Sequence, residues 1–128
     1  MYERVVVMKI NSEYYKELRK KTENILKDYP YYKMAKEVPE INILKLIDKK
    51  VLDMREDAFN VDYIENIIKS VNYVLDRLDY ESKKIIDGCY FRDDISNNEL
   101  QKELMIDRNK FYRLKRKALE KFIIVLAY

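Results

Sequence analysis

The sequence has no histidine, one cysteine, one glycine and two prolines among its 128 residues, and each scarcity removes a class of explanation. Without histidine the commonest metal ligand, general base and physiological pH switch are missing. The single cysteine, Cys89, cannot close an internal disulfide, and the two absences together weigh against zinc sites and against Ser-His or Cys-His triads. So few glycines and prolines leave little room for tight hairpin turns. No stretch approaches the roughly twenty apolar residues that cross a bilayer, and the opening MYERVVVMKI carries no long apolar segment or small-residue cleavage site, so a cytoplasmic protein with no membrane partner is expected. The adjacent carboxylates Asp93-Asp94 and Glu56-Asp57 fall in expected loops with no histidine or glycine-rich loop in support, so neither an enzyme nor a cofactor is expected.

What is present favours helix. Lys, Glu, Leu, Ile and Asp dominate, and 48% hydrophobic content is enough for a core. The expected fold class is all-α: an N-terminal helical bundle over residues 1–78 followed by a C-terminal helical module over residues 79–128. Val5-Val6-Val7 suits either a strand or an arm lying on the core. Ser12 is placed to cap a helix in which Tyr15, Leu18, Thr22, Ile25, Leu26 and Tyr29 recur at helical spacing, and Pro30 marks its end, because proline disfavours helix at the residue before it. Pro39 suits the start of a second helix with Ile43, Leu44, Ile47, Val51 and Met54 facing inward. Asn60 caps a third, whose Val61, Ile64, Ile68, Val71, Leu75 and Leu78 alternate spacings of three and four; Ile67 and Val74 widen this seam and favour packing within the chain over a homodimer. Asp79 can cap a further helix carrying Ile85, Ile86 and Cys89 on one side, with Cys89 as a small buried hydrophobe.

The net charge of +3 is unevenly spread. Residues 108–121 hold seven of the 26 basic side chains and one of the 23 acidic ones, leaving 19 basic and 22 acidic elsewhere. Such a cation-rich segment is the footprint expected where Lys and Arg displace counterions from phosphate, and the competing reading is a solvated helix face. The neighbouring pattern favours the former. Ser96 and Glu99 have capping-box spacing, Leu100 and Leu104 form a ridge, Met105-Ile106 makes a tight connection, and Asp107 caps a last helix that buries Phe111, Leu114, Ala118 and Phe122, flanked by Leu119 and Val125. The opposite stripe is Asn109, Tyr112, Arg113, Arg116 and Glu120, with Arg108, Lys110, Lys115 and Lys117 beside it. A helix built this way suits the major groove of double-stranded DNA. Arg108, Asn109 and Arg113 are assigned to base edges. Ser96, Asn97, Asn98, Lys110, Tyr112, Arg116 and Lys117 are assigned to phosphates.

The stretch from Leu78 to Leu119, ending in NNELQKELMIDRNKFYRLKRKAL, resembles the helix-turn-helix of region 4 of bacterial sigma factors. Asp107 takes that family's cap place, Phe111 and Leu114 the buried places, Ala118-Leu119 its frequent Ala-Leu pair, and Arg108, Asn109 and Arg113 the places of base readers. Two departures stand out: Gln101 replaces the usual small residue, and Met105 the usual turn glycine. Lacking a region 2, the chain is not similar to a complete sigma factor. With KKTENILKDYPYYK in its amino half it instead resembles phage transcriptional regulators of the RinA/ArpU type. That resemblance implies a sequence-specific regulator of phage or prophage late genes; the alternatives are a small terminase-like packaging subunit and a helical protein that binds RNA polymerase. The apolar tail Phe122–Tyr128 needs cover, from the amino-terminal helices or a second subunit, and a single recognition helix needs a homodimer or RNA polymerase to complete its binding surface.

Overall fold

The computed structural model describes residues 12–37 and 61–127, and every regular element among them is helical. They are α1 (Ser12–Glu37), α2 (Val61–Leu75), α3 (Tyr80–Ile86) running into a π-helical turn (Asp87–Phe91), α4 (Asn97–Leu104) and α5 (Arg108–Ala127). The helix expected after Pro39, the Asn60 cap and the Val5–Val7 segment lie outside the described residues. No helix among those described is long and apolar enough to cross a membrane.

Helix α1 does not stop at Pro30, contrary to the sequence expectation; it continues for 26 residues with the proline inside it. A proline in a helix interior forfeits one backbone hydrogen bond and costs about 3 kcal/mol. Here the core compensates. Ile25, Leu26 and Tyr29 are buried before the proline and Tyr32 after it, on one face of the same helix, and burying each such side chain contributes roughly 1.5–3 kcal/mol. Tyr29 also donates its phenol proton to Asn72, and the Tyr32 ring meets Tyr63 edge-on at 6.1 Å. These pairings run in opposite senses along α1 and α2, so the two helices pack antiparallel. The α2 seam of Ile64, Ile67, Ile68, Val71 and Val74 is consumed within the chain, against α1 and α5.

Asp79 caps α3 as expected, its carboxylate accepting from Ser82 N at 2.7 Å. The π turn that follows closes with Arg92 N donating to Asp87 O at 3.0 Å. Neighbouring side chains of α3 and this turn divide between two cores. Ile86 and Tyr90 join the larger core with α1, α2 and the second half of α5; Phe91 packs beside it, 5.0 Å from the Tyr29 ring. Ile85 joins a smaller core with Leu100 and Phe111, padded by Ile95, Leu104, Ile106 and Leu114, and Cys89 lies partly buried against both. Gly88 is the point of closest approach: a Cβ there would stand 2.5 Å from a terminal carbon of Leu100. Of the apolar tail, Phe122 and Ile123 lie in the core that α1 and α2 complete, and Val125 and Leu126 pack half-buried against it.

Two stability predictions follow from this packing. Thr22 is completely buried with no hydrogen-bond partner for its hydroxyl, so Thr22→Val, which keeps the shape and removes the unmet polar atom, should raise the unfolding free energy by about 1 kcal/mol. Loss of stability in denaturant titration would contradict this. Gly88→Ala should cost on the order of 1 kcal/mol despite the better helix propensity of alanine. The penalty should vanish in a Leu100→Ala background, and an additive double mutant would refute the close approach as its cause.

Candidate nucleic-acid interface

The segment expected to carry the site is fixed by three local devices. Ser96 and Glu99 form a complete capping box: Ser96 Oγ accepts from Glu99 N at 3.1 Å, and Glu99 Oε1 accepts from Ser96 N at 3.1 Å. That second hydrogen bond holds the Glu99 carboxyl below its ordinary range. Helix α4 ends at Met105, whose φ of 57° is left-handed. This is the conformation a glycine adopts freely and other residues adopt at a cost of about 1–2 kcal/mol; the Met105 side chain, 91% exposed, gains no burial in return. Asp107 then caps α5, accepting from Lys110 N at 2.7 Å. A turn of a few residues therefore joins the two helices.

Behind α5, Phe111 and Ala118 are buried and Leu114 is half-buried. In front, Arg108, Asn109, Arg113, Arg116 and Lys117 are all exposed. The Arg108 guanidinium lies 5.5 Å from the centre of the Tyr112 ring. Ser96, Asn97 and Asn98 are exposed at the start of α4, and the Asn97 amide donates to the Tyr112 hydroxyl at 3.4 Å, linking the two helices on the side where Tyr112 emerges.

Three placements differ from a uniform cationic stripe. Glu120, read from the sequence as part of the exposed face, is buried, with 6% exposure. The second half of α5 is enclosed where it packs on α1 and α2, so the free face ends before Glu120. Lys110 is engaged by Glu81 of α3, with 3.2 Å between ammonium and carboxylate. Lys115, named in the sequence only as a neighbour of the stripe, is half-buried, with its ammonium 5.6 Å from the Tyr90 ring centre and 6.0 Å from that of Tyr112. The Arg108–Tyr112 and Tyr112–Lys115 spacings of four and three were visible in the sequence. Tyr90 and Glu81, far away along the chain, were not.

Cys89 donates to Asn97 Oδ1 at 3.7 Å, and burial pushes its thiol up, away from the reactive thiolate. Among the described residues no group of three His, Cys, Asp or Glu side chains could hold a metal ion. No protein-family model, curated protein or solved structure matches the chain.

The Tyr90 phenol, buried and donating to Glu23 Oε2 at 2.7 Å, is driven well above the ordinary tyrosine value of 10.0, first by burial and then by the Glu23 carboxylate. The folded state thus favours the neutral phenol. Its contribution is complete below pH 10.0 and is lost as pH rises above that value toward the raised folded one. Thermal unfolding should show the wild type losing stability above pH 10 more steeply than Tyr90→Phe, and parallel alkaline limbs would contradict the assignment.

Proposed function

We propose that this chain is a sequence-specific transcription regulator that binds double-stranded DNA, with α4 and α5 as a sigma-70 region 4-like helix-turn-helix and α5 in the major groove. The observation that carries this reading is the exposure of Asn109, Arg113 and Arg116 on one face of α5 while Phe111 and Ala118 are buried on the other. A helix anchored from behind meets the geometric requirement for groove entry, and its exposed residue types match the groove's chemistry. Arginine can bond bidentately to guanine and asparagine to adenine, each good pair contributing about 1–3 kcal/mol of discrimination. Arg108, Asn109 and Arg113, in the first turns of α5, are the base-reading set. Tyr112, Arg116 and Lys117, with Ser96, Asn97 and Asn98 at the start of α4, are the phosphate set. Lys110 joins that set when a phosphate displaces Glu81.

The resemblance of this segment to sigma region 4, and of the whole chain to phage regulators of the RinA/ArpU type, supports a role at phage or prophage late genes in the cytoplasm, without catalysis. One such module buries roughly 600–1,000 Å² and seldom holds a site alone, so a homodimer or RNA polymerase completes the binding surface. A small terminase-like packaging subunit would assemble into a large ring, which light scattering would detect. Selection of bound fragments from random duplex DNA should return one enriched motif; recovery of unselected sequence would remove the regulator reading.

Within a selected site, Arg113→Ala should weaken binding by about 1–3 kcal/mol and relax one base position. Lys117→Ala should weaken all sequences alike and lower the slope of log affinity against log salt by about 1. The same effect from both substitutions, measured by salt-dependent titration of specific and mutated duplexes, would overturn the division of roles.

A further inference from the structure

We propose that Lys115, which stands over the rings of Tyr90 and Tyr112, is a further phosphate-contacting residue, on the flank of α5 that also carries Arg108. The assignment rests on the DNA-binding reading of α5. A helix in the major groove has a phosphate strand along each side, and the two flanks of α5 are unlike. On one flank Lys110, Lys117 and Lys121 follow at spacings of seven and four. The Lys110 ammonium is 3.2 Å from Glu81, and Asp79, at the foot of α3, carries a carboxylate that both Lys110 and Lys121 stabilise. Charge on that side is partly cancelled before any partner arrives.

On the other flank Arg108, Tyr112 and Lys115 follow at spacings of four and three. The Arg108 guanidinium lies 5.5 Å from the Tyr112 ring centre, and the Lys115 ammonium stands 5.6 Å and 6.0 Å from those of Tyr90 and Tyr112. An aromatic face attracts a cation through its quadrupole without neutralising it. The rings therefore position these two cations without neutralising them, and for Lys115 this lowers the ordering cost of meeting a phosphate. The supports are themselves held. Tyr90 donates to Glu23, which also pairs with Arg19 at 3.6 Å, and Asn97 of α4 donates to the Tyr112 hydroxyl.

The test uses the full chain and a fluorescent duplex of mixed sequence, titrated across a range of potassium chloride. Lys115→Met should lower the slope of log affinity against log salt by about 1 and weaken binding several-fold at low salt, whereas Lys121→Met should leave both unchanged. Glu81→Gln, by releasing Lys110, should tighten binding and steepen the slope. A Lys115→Met slope equal to wild type, or equal losses from Lys115→Met and Lys121→Met, would overturn the assignment. In the DNA-free protein, ring currents should shift the Lys115 ε-methylene protons upfield of those of Lys117 and Lys121; an unshifted signal would overturn the aromatic placement even if DNA binds. A wild-type chain that binds no duplex, with the upfield shift present, would instead remove the DNA-binding reading and this assignment with it.

Discussion

One helix belongs to two cores at once, and the rest of the arrangement depends on it. Phe111 and Phe122, neither with any solvent exposure, stand about three helical turns apart on the same face of α5. Phe122 fills the core made by α1, α2 and the end of α3, while Phe111 fills the smaller one made by Ile85 and Leu100. Removing a buried phenylalanine typically costs about 3–5 kcal/mol. Two such anchors on a continuous helix make its rotation about its own axis a property of the whole fold. The solvent-facing direction of Asn109, Arg113 and Arg116 is set by that rotation.

The smaller core is thin, and its construction shows how much depends on local fit. The chain's one glycine lies where the π turn meets Leu100 of α4, and the residue at the turn into α5 is a methionine in a left-handed conformation. Ser96 and Asp107 cap the two helices on either side of that turn. Leu100 packed with Ile85 and Phe111, together with the Asn97–Tyr112 hydrogen bond, holds α4 against α5, while the two caps and the left-handed Met105 fix the helix ends around the turn. In the proposed role this thin core has a use: α4 and the exposed half of α5 stand clear of the larger core, and α1 and α2 leave that face uncovered.

Much of this was legible in the sequence, because the signals were local. Asp79, Ser96 with Glu99, and Asp107 each announced a helix start by residue type and spacing. The seam from Ile64 to Leu78 and the anchors Phe111, Ala118 and Phe122 followed from helical periodicity. Non-local features were hidden. Pro30 reads as a stop unless Tyr32 is known to be buried beyond it. The π turn inserts extra winding that no periodicity of Ile85, Ile86 and Cys89 displays. Glu120 sits on the polar stripe by spacing, yet lies where α5 is enclosed, and the pairing of Lys110 with Glu81 depends on how α3 packs against α5.

The central claim is that α5, anchored from behind, meets DNA with its free face, and backbone amide NMR during titration with duplex DNA tests it most directly. Shifts concentrated at residues 96–98 and 108–117, with α1, α2 and the second half of α5 unmoved, are the predicted result. Shifts confined to α1 or α2, or none under conditions that saturate binding, would contradict it.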